Sequence, residues 1–77
     1  MNRHNDWEKL LSYANEELNE FGYEIRLSEK DGFYNCNIYK NKRKVKTYAE
    51  NYYEDELSEL VNDAWHYVLS LAYKLKK

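Results

Sequence analysis

Proline is absent from this 77-residue chain, glycine occurs twice and cysteine once. Without proline, nothing interrupts a helix or stiffens a linker, so the chain reads as one continuous unit over residues 1–77. Gly22 and Gly32 stand alone, which leaves no glycine-rich loop to cradle a phosphate. A single Cys36 cannot close an internal disulfide, and neither it nor His4 or His66 has neighbours at zinc-ligand spacing. No catalytic, metal or cofactor site is therefore expected. Apolar runs are too short to span a membrane, and no basic segment precedes an apolar leader. These absences lead to the expectation of a cytoplasmic, non-enzymatic protein with no membrane contact.

What is present is charge and aromatic surface in quantity. Charged residues make up 34% of the chain, a level that invites disorder, but aromatic residues make up 17% and are periodically placed. Periodic aromatic and aliphatic residues bury surface, so a folded domain is expected. A chain of this length buries about 60 to 65% of its unfolded surface, enough for one core and no second domain.

Trp7, Leu10, Leu11, Ala14, Leu18 and Phe21 recur at intervals of three and four, the signature of one helical stripe. The spacing predicts a helix over about 6–21, with Asn5 and Glu8 as its capping box and Gly22 as its left-handed stop. From Glu54 the helical period returns through Leu57, Leu60, Val61, Ala64, Trp65, Val68, Leu69, Ala72 and Leu75. Acids at 54–56 and lysines at 74, 76 and 77 complement the dipole of that second helix.

Between the helices the pattern alternates. Asp31-Gly32 is the dipeptide favoured by two-residue type I′ hairpins, and pairing Lys30 with Phe33 sets Leu27 opposite Cys36 and Ile25 opposite Ile38. A second turn at Asn41-Lys42 is expected to set Ile38 opposite Val45 and Cys36 opposite Thr47. The result is an α+β fold of order α-β-β-β-α, a three-stranded antiparallel meander with both helices packed on one face.

Two surfaces of opposite sign follow. Lys40, Lys42, Arg43, Lys44 and Lys46 crowd the second turn, whereas Glu50, Glu54, Asp55, Glu56, Glu59 and Asp63 follow with no lysine or arginine among them. Like charges gathered on separate elements repel within each cluster, a cost that interspersed signs avoid, so the segregation points to a partner. Glu54, Asp55, Glu56, Glu59 and Asp63, beside Tyr52 and Tyr53, form the expected protein-binding surface. The alternative is nucleic-acid binding by Lys40, Lys42, Arg43, Lys44 and Lys46 with Phe33, Tyr39 and Tyr48, on a sheet face able to stack bases. Self-association through the opposed patches is the third reading.

The α-β-β-β-α order resembles the double-stranded RNA-binding domain, which implies phosphate contacts from a basic start to the second helix. Here that place reads "YYEDEL", of inverted charge. The stretch "YEIRLSEKDG" followed by the acidic "EDELSELVNDAWHYV" is similar in layout to small phage-encoded anti-CRISPR proteins. That resemblance implies an inhibitor from a phage or mobile element, whose acidic surface at Glu54, Asp55, Glu56, Glu59 and Asp63 occupies the pocket with which a CRISPR nuclease reads DNA. The basic hairpin departs from the pattern.

Overall fold

The computed structural model describes the backbone of residues 6–76 and the side chains of residues 7–74. Helix α1 (Asp6–Leu18) ends in one 3-10 turn (Asn19–Phe21), three strands follow as β1 (Tyr23–Lys30), β2 (Phe33–Lys40) and β3 (Arg43–Tyr52), and a 3-10 turn (Glu54–Glu56) leads into α2 (Leu57–Lys76). The strands form one antiparallel sheet in the order β1-β2-β3. This is the α+β fold the sequence predicts. Asn5, the expected cap of α1, lies outside the described residues.

Each chain reversal has a local cause. Gly22 adopts φ 83°, and its N–H donates to Asn19 O at 3.0 Å, closing the 3-10 turn. Asp31 and Gly32 both have positive φ, 55° and 83°, as a type I′ turn demands. Asn41 and Lys42 do the same at 53° and 69°, so both expected hairpins are present.

The β1–β2 register is the one derived from the first turn: Lys30 faces Phe33, Leu27 faces Cys36 and Ile25 faces Ile38. Ile25, Cys36 and Ile38 are buried beneath the helices, packed in one cluster with Leu18, Leu57, Leu60, Ala64 and Val68. Trp7, Leu11, Leu27 and Trp65 pack around it. The indole Nε1 of Trp65 donates to Glu17 Oε1 at 3.1 Å and ties α2 to α1.

The β2–β3 register departs from expectation. Lys40 faces Arg43 and Tyr39 faces Lys44, but Ile38 then faces Lys46 rather than Val45, and Cys36 faces Ala49 rather than Thr47. Two register shifts lie between these rungs, and a third follows between Cys36 and Tyr34. By Tyr52, opposite Tyr34, the ten residues of β3 have matched only the seven from Tyr34 to Lys40. An extra residue in a ladder inverts every later side chain unless another corrects it. Val45, expected in the core, is 56% exposed. Thr47 lies on the open face, where its Oγ1 donates to Asn37 Oδ1 at 3.1 Å. Lys46 and Tyr48, expected on the open face, turn toward α2: Lys46 Nζ donates to Tyr67 Oη at 2.9 Å, and the Tyr48 and Tyr67 rings lie 5.0 Å apart.

The edges of the sheet are managed differently. Along β1, the Asn15 amide pairs with the outward backbone of Ile25 as a strand would, Nδ2 donating to Ile25 O at 3.0 Å and Oδ1 accepting from Ile25 N at 2.7 Å. Along β3, lysines and repeated bulges break up the edge that another strand would need.

Candidate functional site

The acidic strip begins where β3 ends. Tyr53 is extended, at φ −85° and ψ 160°, and its N–H donates to Glu56 Oε1 at 2.9 Å while Glu56 N donates to Tyr53 O at 2.9 Å. This reciprocal pair closes the 3-10 turn and holds Glu54, Asp55 and Glu56 at the start of α2. Glu56, Glu59 and Asp63 follow at helical spacing, and all five carboxylates are exposed. Rows at spacings of three and four share one helix face. Arg26–Glu24, at 3.2 Å, is an ion pair of the open sheet face, outside the strip.

The two tyrosines beside the strip separate. Tyr53 is 58% exposed, with its ring 5.2 Å from Phe33, and this aromatic pair borders the carboxylates. Tyr52 is half-buried against the core, so it anchors β3 instead of extending the surface.

The strip also belongs to a larger negative region that the sequence alone does not reveal. Tyr34 packs on Trp7 at 6.1 Å between rings. Its phenol is pushed above the usual tyrosine range first by burial and then by the charges of Glu29, Glu54 and Glu8. Carboxylates from α1, β1 and the 3-10 turn therefore share one end of the molecule. Tyr48 is raised as well, first by burial and then by Asp63.

The basic residues are divided by the fold. Lys42, Arg43 and Lys44 are exposed at the β2–β3 tip. Lys40 lies over the Tyr23 ring at 4.7 Å, and Lys46 lies over Tyr67 at 4.8 Å as well as bonding its hydroxyl. Tyr39 sits on the open face under the Arg26 guanidinium at 4.3 Å. Arg26 in turn is held protonated more firmly than usual, chiefly by its hydrogen bond to Glu24. Phe33 is far along the strand, beside Tyr53. Between these aromatics the open face carries a side-chain ladder, Ser28 to Asn37 to Thr47. Its central Asn37 is only 8% exposed. Of the expected nucleic-acid surface, Lys46 and Tyr48 thus belong to the helix side.

Cys36, His66 and His4 are the residues the sequence offers for catalysis. Cys36 is buried, and burial pushes its thiol up to about 11; His66 is exposed on α2; His4 lies outside the described residues. Among the described residues, no three His, Cys, Asp or Glu side chains gather as metal ligands, and no helix is long and apolar enough to cross a membrane. A shallow hollow beside Gly22 is lined by Asn19, Glu24, Asn41 and Lys42.

No protein family, curated protein or solved structure matches the chain.

Proposed function

We propose that this domain is a non-catalytic protein-binding module of the inhibitor type that phages and mobile elements encode, acting through the strip from Glu54 to Asp63. The observation that carries this reading is the exposed row of five carboxylates, started by a hydrogen-bonded turn and bordered by the Phe33–Tyr53 pair. A one-sign row matches a basic surface on a partner. Where that partner is a nucleic-acid-binding protein, the row meets the groove that otherwise receives phosphates. Tyr53 adds the rigid amphipathic contact common at interface centres.

Capture from source cells on the immobilised domain tests the proposal. The triple variant Asp55→Asn/Glu59→Gln/Asp63→Asn spares Glu56, whose carboxylate closes the turn. A partner eluted by salt from the parent protein and absent with the variant is the expected outcome. Equal capture by both would remove the strip from the function. A labelled-oligonucleotide titration at two salt concentrations examines the basic tip in parallel. A flat curve is expected, and salt-sensitive binding lost on replacing Lys42, Arg43 and Lys44 would move the function to the tip.

A further inference from the structure

The basic tip and the Glu54–Glu56 start of the acidic strip lie toward opposite ends of an elongated molecule, while Asp63 stands part-way along, one helical turn before the Tyr67 that Lys46 bonds. The molecule's principal extents are 41 × 25 × 17 Å, and β2 runs from Phe33, at the Asp31-Gly32 turn, to Lys40, at the Asn41-Lys42 turn. Tyr53 reaches Phe33, which places the Glu54–Glu56 turn at the first end. At the other end, Asn41 N donates to Gly22 O at 2.8 Å, and Phe21 meets Tyr73 edge-on at 5.7 Å. Charges separated by the length of an eight-residue strand, roughly 26 Å, do not neutralise one another within a molecule when the screening length is about 8 Å.

Each end also exposes apolar surface beside its charge: Tyr53 at 58% at the acidic end, Val45 at 56% and Tyr73 at 53% at the basic end. Lys42 stands at φ 69° in the turn position where glycine is preferred, so a lysine is held where its backbone conformation is unfavourable.

We infer that the partner of the acidic strip includes a second copy of this chain, whose tip at Lys42, Arg43 and Lys44 docks on Asp55, Glu59 and the exposed Tyr53. The inference rests on the strip being a contact surface and names what meets it. Both halves of the complementary pair occur on one chain, and the contact is heterologous, so it propagates head to tail into a chain or ring.

Sedimentation equilibrium with small-angle scattering decides the matter. At low ionic strength the mass should rise above 9.5 kDa with concentration, and the longest dimension should grow in steps near 41 Å. At about 0.5 M salt, where screening acts within a few ångströms, the monomer should return. The acid-end variant Asp55→Asn/Glu59→Gln/Asp63→Asn and the tip variant Lys42→Gln/Arg43→Gln/Lys44→Gln should each be monomeric alone. Mixed, they should form a 1:1 complex that grows no further, because each supplies one working end. Lys42→Gly should raise the thermal midpoint while weakening assembly, which separates folding from contact. A monomer at every concentration, or assembly that neither variant disturbs, overturns the second-copy contact. If the monomer still captures a cellular partner through the acid end, the strip reading stands without it; if capture also ignores the acid end, both fall.

Discussion

Gly22 answers to two constraints and Gly32 to one. Both have φ of 83°, but a Cβ on Gly22 would lie 2.8 Å from Asn41 Oδ1, whereas one on Gly32 would meet nothing within 4 Å. Gly32→Ala should therefore lose about 1 kcal/mol, the backbone term alone, and Gly22→Ala only about half a kcal/mol more, because Asn41 Oδ1 is the end of an exposed side chain that can swing aside. Urea unfolding of the pair checks the difference; equal losses would mean that the Asn41 contact yields freely. Cys36 makes a pH prediction. Its thiol ionises near 9 when exposed and near 11 in the fold, so the unfolded chain gives up its proton first as pH rises. The stability due to the neutral thiol is complete below pH 9 and is lost toward pH 11, to the order of 2 to 3 kcal/mol. Tyr34 and Tyr48 are shifted in the same direction and add to the decline. Cys36→Ala should flatten the alkaline limb of a stability-versus-pH curve, and an unchanged slope would assign the limb to the tyrosines.

Asn15 acts at the scale of an element, because its one amide finishes the edge of β1. Asn15→Ala leaves the N–H and carbonyl of Ile25 unpaired beside α1, and should destabilise by about 2 kcal/mol with increased aggregation. Chemical denaturation with light scattering reads both, and a loss below about 0.5 kcal/mol would mean that water replaces the amide without penalty. The elements differ in how much of them the residues announce. Leu57, Val61, Ala64 and Val68 follow the helical period and are buried, and Ile25 and Ile38 meet across a turn whose dipeptide sets their register. The tip of β3 was equally legible, since Asn41-Lys42 turns as expected and its first two rungs pair as expected. The bulges beyond it were not. They depend on Tyr48 and Lys46 finding Tyr67 on α2, a contact between segments distant in sequence, and alternation within β3 carries no trace of it.

At the scale of the molecule, Lys42, Arg43 and Lys44 crowd one end and Glu54, Asp55 and Glu56 the other, with Glu24 beside Lys42 and Lys30 opposite Phe33 as the exceptions. Repulsion within the ends should dominate at low ionic strength, so the thermal midpoint of a dilute sample should rise on adding salt to about 0.15 M. The expected gain is about 2 to 5 °C, roughly half a kcal/mol for a domain of this size. A falling midpoint would show that attractive pairs such as Arg26–Glu24 outweigh the clusters. The acidic strip was legible because Glu56, Glu59 and Asp63 are neighbours on one helix by spacing alone. The assembly of Glu8, Glu29 and Glu54 around Tyr34 was not, because it joins three elements that only packing brings together. By itself the sequence determined the two helices, the three strands, both turns and the buried face of the first hairpin, since each depends on near-neighbour periodicity and turn chemistry. Only the tertiary structure decided which way β3 presents Val45, Lys46, Thr47 and Tyr48, and that the Glu54–Glu56 turn and the Lys42–Lys44 tip lie toward opposite ends. Those outcomes depend on how the helices sit against the sheet, and a long-range packing choice leaves no periodic mark in the chain.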